Sequence, residues 1–204
     1  MIDRNSFFGQ VRGHPFGGAM RQGQVDGCNA ILDAWEARPD FTDRRWLAYM
    51  LATAKWETAH TMRPIEEYGR GQGRPYGVSV NGHIYYGRGY VQLTWATNYA
   101  RMAALTGADL VGHPERALEP TLAALIMIEG MKGGLFTGVG LPRYFGATAD
   151  DPVNARRIVN GTDRAEEIAA IHRPFLAALT DTAPAGNATG TCAAAPGWDP
   201  ARAA

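Results

Sequence analysis

The sequence predicts a mainly α-helical domain broken once by a small β element. Three observations predict it. In stretch after stretch, apolar residues recur at spacings of three and four, the repeat of one helix face. Capping and stopping residues stand at the ends of those stretches. Between residues 63 and 89 the periodicity vanishes into a run of glycines. Within that run Asn81-Gly82, a strong turn pair, is flanked by Val78, Val80, Ile84, Tyr85 and Tyr86, the composition of a short hairpin.

Taken in order, residues 3–11 form a short helix carrying Phe7, Phe8 and Val11, and residues 13–23 are loop, rich in glycine and broken by Pro15. Residues 24–37 are helical through Val25, Cys28, Ile31, Leu32 and Trp35, and Pro39-Asp40 ends them. Thr42 is placed to cap a helix over residues 43–58, whose stripe is Trp46, Leu47, Met50, Leu51 and Ala54. Thr94 is placed to cap a helix running to Leu105, with Gly107 as its stop. Pro120 sits at a first helical position and opens residues 121–132, closed by Gly133-Gly134. Asp151-Pro152 opens a helix through Val159. Asp163 to Glu166 has capping-box spacing and starts the last helix, to Leu179, with Pro174 as a place to kink. From residue 181 onward alanine, glycine, threonine and proline dominate, and a mobile tail is expected over 181–204.

Composition removes several classes of function. The formal charge is zero, 20 basic against 20 acidic residues, so no global field points to nucleic acid or an anionic membrane. Hydrophobic content of 46% is that of an ordinary globular domain, and 204 residues suffice to bury its core. No apolar run is long enough to span a bilayer, and the first residues lack the apolar core of a secretory signal. Cys28 and Cys192 lie too far apart in sequence to read as a disulfide framework. His60, His83, His113 and His172 lack metal-ligand spacing, and Gly87-Arg88-Gly89 lacks the third glycine of a dinucleotide loop. Neither Ser6 nor Ser79 sits in a nucleophile elbow. Neither a metal nor another cofactor is expected.

What remains is a concentration of carboxylates, aromatics and hydroxyls. Glu57 ends a core-facing stripe, where an unpaired carboxylate is costly unless it lines a cleft. Partial burial against Trp56, Met50 and Leu51 is the setting that general acids occupy; the plainer reading is a glutamate paired on a helix surface. Glu66 and Glu67 follow Pro64, which halts any helix, so they belong to a loop or turn; being adjacent, they diverge. Their plainer reading is a solvated acidic pair. Arg88, between glycines, is able to pair with a carboxylate, which suits a base. Tyr86 and its neighbours are either sugar-stacking rings or core. Thr94 either caps its helix or orients an attacking water. Two carboxyls on separate elements are the minimal equipment for glycoside hydrolysis.

The runs Trp56-Glu57-Thr58, Ile65-Glu66-Glu67, Tyr86-Gly87-Arg88-Gly89-Tyr90-Val91-Gln92-Leu93-Thr94 and Arg156 to Gly161 together resemble family 19 glycoside hydrolases. That group contains plant class I chitinases and phage endolysins. The resemblance covers about residues 48–179 and implies a bilobed, lysozyme-like helical domain over residues 1–180, with the β-hairpin beside a cleft. It implies Glu57 as general acid, though Trp56 stands where many members have histidine. It implies Glu67 as the second acid, with Glu66 the competitor if the loop is one residue shorter. Thr94 matches the water-positioning hydroxyl, Gln92, Asn98 and Asn160 match sugar-binding positions, and Tyr86 and Arg88 fall beside them. An inverting mechanism follows from the resemblance.

The size, the absent cysteine framework and the KWETAHTMRPIEEYG core resemble phage or prophage endolysins more than plant chitinases. The expected partner is therefore a peptidoglycan glycan strand, or else a chitin oligomer, met by a monomer. Such an enzyme accumulates in the bacterial host's cytoplasm and reaches the wall through a holin-type lesion. A catalytically inactive glycan-binding module is the alternative from another class. A peptidase or amidase lacks its metal or nucleophile here.

Overall fold

The computed structural model describes residues 1–180; the expected tail over 181–204 and Cys192 lie outside them. Seven α-helices follow in the order α1 (Arg4–Gly13), α2 (Gln22–Glu36), α3 (Arg44–Glu57), α4 (Ala96–Thr106), α5 (Pro120–Gly133), α6 (Leu141–Tyr144) and α7 (Ala165–Thr180). Two short strands, β1 (Ile65–Glu66) and β2 (Arg88–Gly89), fall between α3 and α4 and pair antiparallel, with Ile65 opposite Gly89 and Glu66 opposite Arg88. The domain is mainly α-helical with one small sheet, as the periodicity predicts. No helix among the described residues is long and apolar enough to cross a membrane.

The centre of the packing is α3. Leu47, Ala48, Met50, Leu51, Ala52 and Ala54 are all fully buried, so this helix is covered on every side and its polar residues survive only near its ends. Its main neighbour is α7, whose buried His172 lies against Tyr49, while Phe175 of α7 stacks on Phe7 of α1. The Tyr49 ring meets Phe145 at 5.4 Å and His172 at 5.8 Å in that contact. Burying a side chain the size of Leu51 contributes about 1.5–3 kcal/mol. A second contact, α2 on α5, flanks this pair. The end of α3 is thereby fixed on a rigid rod, and the segment that leaves it carries the site.

The helix ends partly depart from the sequence reading. Asp43, not Thr42, caps α3, its carboxylate accepting the Arg45 N–H at 3.0 Å. Asp carries a charge that favours the positive helix N-terminus, which a threonine hydroxyl lacks. Thr94 does not cap α4: Trp95 holds the N-cap position at φ 72°, and Gly107 ends the helix in left-handed geometry as expected. Residues 151–159 form only a 3₁₀ turn, Asn154–Ile158, because Asp151 caps it tightly through the Asn154 N–H and side-chain amide. Helix α7 runs unbroken through Pro174.

The β element is also placed differently. Val80 and His83 exchange two backbone hydrogen bonds around Asn81-Gly82, whose φ angles of 51° and 85° are those of a tight turn. The hairpin stops there. Beyond it Tyr85 to Gly89 turn toward residues 65–67, and that long-range pairing forms the sheet. Burial explains the choice, since Val78, Val80 and Ile84 stay exposed while Tyr85, Tyr86 and Arg88 are buried.

Candidate active site

Glu57 is the last residue of α3, and its side chain is 15% exposed. Its Oε1 accepts a hydrogen bond from Arg156 Nη1 at 2.5 Å. Arg156 comes from the 3₁₀ turn Asn154–Ile158 and is buried; its Nε donates to the Asp163 carbonyl at 3.1 Å, which holds the guanidinium fork in place. An unpaired Glu57 is thus corrected. A carboxylate largely withdrawn from water is retained only with a countercharge. Arg156 escaped the list of site residues drawn from sequence. Its one signal is membership of the Arg156 to Gly161 run, and nothing local says whether Arg156 or Arg157 turns inward.

Glu66 ends β1 and Glu67 follows it directly, and the two side chains find different partners. Glu66 Oε1 accepts the Tyr86 hydroxyl at 2.6 Å, and Oε2 accepts Arg70 Nη2 at 2.7 Å. The Tyr86 hydrogen bond, helped by the charges of Arg70 and Arg88 and opposed by burial, holds the Glu66 carboxyl below the usual range. Burial, with the Glu66 bond behind it, pushes the Tyr86 hydroxyl up.

Glu67 faces the glycine-rich loop. Its Oε2 accepts the Gly87 N–H at 2.9 Å, and its Oε1 accepts the Gly71 N–H at 2.8 Å and lies 3.4 Å from the Tyr76 hydroxyl. A Cβ at position 87 would stand 2.9 Å from both Glu67 Oε2 and Gln92 Oε1, so a side chain there would push both of those groups aside. Glu67 and Gln92 therefore converge on one backbone position.

The remaining residues form the frame. Arg88 lays its guanidinium 3.5 Å from the centre of the Tyr86 ring, donates to the Tyr99 hydroxyl at 3.0 Å and brings Nε to 3.9 Å from Glu66. Gln92 donates to the carbonyls of Ile65 (3.1 Å) and Gly89 (3.2 Å), clamping the two strands together. Asn98 donates to the Thr94 carbonyl at 3.0 Å. Trp95, exposed, meets Tyr76 edge-on at 5.6 Å, so an aromatic pair adjoins Glu67. Neither ring of that pair was singled out from the sequence. Asn160 stands apart from this group: its side-chain Oδ1 accepts the Gly161 N–H, and it lines a cavity of about 480 Å³ with Thr137, Tyr144 and Arg157. Among the described residues, no three His, Cys, Asp or Glu side chains gather to hold a metal ion.

The arrangement offers one carboxyl backed by a guanidinium and two more at the end of β1 and just beyond it, with aromatic surface beside them. No family model matches the sequence, and no curated protein matches it at a significant level. Solved structures do match. A bacterial family 19 chitinase aligns with a TM-score of 0.56 at 18% identity, over 88% of this chain and 95% of that one. A chitinase C mutant aligns with a TM-score of 0.51 at 21% identity, over 90% and 95%. Chitinase C from Streptomyces griseus aligns with a TM-score of 0.50 at 18% identity, over 93% of this chain and 69% of that one. At these identities the likeness is one of fold, and in fold this chain is similar to the family 19 chitinases.

Proposed function

We propose that the chain is an inverting glycoside hydrolase that cleaves β-1,4 linkages in N-acetylglucosamine-containing polymers. The observation that carries this reading is Glu57, a half-buried carboxyl at a helix end faced by Arg156, on a fold similar to that of chitinases. In the proposed step Glu57 gives its proton to the leaving glycosidic oxygen. The carboxylate that forms already faces a guanidinium, so the charge developed in the transition state is met without reorganisation. Glu67 takes a proton from water, whose oxygen attacks the anomeric carbon, and Thr94 orients that water. The products are a new reducing end of inverted configuration and a free hydroxyl on the leaving sugar. Both carboxyls accept hydrogen bonds on both oxygens; Glu67 is preferred because it converges with Gln92 and the Tyr76/Trp95 pair and its donors are neutral, whereas Glu66 is ion-paired with Arg70.

Peptidoglycan is the polymer proposed, in an endolysin-type role in which a monomeric enzyme made in the bacterial host's cytoplasm reaches the wall after a holin-type lesion opens. Chitin oligomers are the second reading, favoured by the names of the structures of similar fold. Mass spectrometry of peptidoglycan digested by the wild-type chain tests both. Muropeptides with new reducing ends, absent from the Glu57→Gln digest, are expected. Release from chitin oligomers alone would favour the second reading, and release from neither would return the chain to a binding module.

A further inference from the structure

The loop that follows Glu57 walls a second cavity, of about 570 Å³, whose polar lining includes Arg21, Gln24, His60, Thr61 and Arg63 and no acidic residue. It is a built feature. The Gln24 side chain accepts the Arg21 N–H at 2.8 Å and donates to the His60 carbonyl at 2.9 Å, which ties the start of α2 to the loop. Arg63 lies over Gly23, where any side chain would displace its guanidinium. Beneath His60 sits Lys55, 7% exposed, its Nζ 2.8 Å from His60 Nδ1 and 5.5 Å from the centre of the Phe16 ring. Among the described residues none of Arg21, Lys55 and Arg63 forms an ion pair. Burial pulls Lys55 down, and burial together with the Lys55 charge pulls His60 down. Arg21 and Arg63 thus line the cavity beside the positive end of a fifteen-residue helix, with Lys55 beneath His60 and no acidic residue in the lining; Asp26 lines the adjoining pocket with Arg63. Chain geometry keeps them near the chemistry: three Cα–Cα steps put His60 within roughly 11 Å of Glu57.

We propose that this cavity binds a carboxylate borne by the glycan, such as the free acid of a peptide stem, and so selects an acidic cell-wall polymer over neutral chitin. The inference rests on the hydrolase reading for its substrate but not for its binding. A carboxylate accepts two parallel N–H bonds from an arginine, and Arg21 and Arg63 present two such forks on the rim.

The test is calorimetric titration of the full chain with soluble disaccharide-peptide fragments of peptidoglycan, their stem carboxyls either free or amidated. The free acids are expected to bind at least about tenfold tighter, the loss of one charge-assisted contact of roughly 1.4 kcal/mol. An Arg21→Gln/Arg63→Gln double variant, altered only at exposed side chains, is expected to lose that preference while its Tm and its turnover of chitin oligomers match the wild type. Equal binding of free and amidated fragments, or an undiminished preference in the double variant, would overturn the proposal. So would a parallel loss of neutral-substrate turnover. If the wild type cleaves neither polymer yet keeps an arginine-dependent preference, the cavity assignment stands and the hydrolase reading falls.

Discussion

Glu57 and Arg156 meet at 2.5 Å although 99 residues of chain separate them. The pair joins the end of the central helix to the 3₁₀ turn before α7, so the residue proposed as general acid is also a packing joint. Glu57→Gln keeps the shape and removes the proton donor. Turnover is expected to fall by about 10²–10⁴, the usual worth of a general acid, and Tm to fall as well, because the buried Arg156 guanidinium loses its countercharge. Arg156→Ala is expected to reduce turnover and also stability, by on the order of 3 kcal/mol, because it strands a half-buried carboxylate. Arg156→Lys keeps the charge without the fork and should recover part of both. Steady-state kinetics and thermal melts on the three variants check this; unchanged turnover in Glu57→Gln would remove Glu57 from the mechanism.

Glu66 and Glu67 are separable by the same pair of measurements. Glu67→Gln is expected to cost at least about a hundredfold in kcat. Glu66→Gln is expected to act mainly on stability, about 1 kcal/mol through its Tyr86 and Arg70 bonds, with kcat within a few-fold of wild type. A reversal of the two kcat effects would move the base to Glu66.

Gln92 is a clamp on the sheet as well as a neighbour of Glu67. Gln92→Ala removes two bonds to buried strand carbonyls and is expected to lower stability by about 1–2 kcal/mol, read by urea melts. Its left-handed backbone, φ 53°, adds a control: Gln92→Gly relieves that backbone cost and should be less destabilising than Gln92→Ala.

His172 provides a pH signature. Burial between Tyr49 and Phe145 holds its imidazole down to about 4, well below the ordinary histidine value of 6.5. A base whose folded pKa is depressed stabilises the fold above the unfolded value, and that stability is lost as pH falls toward the folded one. Tm is therefore expected to drop between about pH 6.5 and 4, by the equivalent of roughly 3 kcal/mol. His172→Phe should flatten that slope, and a slope of equal size in the variant would assign the loss to carboxylates such as Glu66 instead.

The helices were legible in the sequence because their signals are local. Apolar residues three and four apart, Pro120 at a first turn and Gly107 and Gly134 in left-handed caps act within a few residues of where they stand. The burial of Glu57 was legible for a related reason: it ends the Trp46 to Ala54 stripe, and a carboxylate there contradicts its own surroundings, which made it a candidate.

Partnerships were not legible. Which basic residue answers Glu57, whether Tyr85 to Gly89 pair with residues 78–80 or with residues 65–67, and whether Gln92 faces sugar or strand all depend on segments brought together from afar. Those choices are settled by burial: the chain closes the contacts that cover Tyr85, Tyr86 and Arg88 and leaves Val80 and Ile84 at the surface. The sequence by itself determined the helical scaffold and the chemical alphabet of the site. The tertiary structure alone decided which of those groups meet, because hydrogen bonds and countercharges are worth most where water has been excluded, and exclusion is a property of the packed whole.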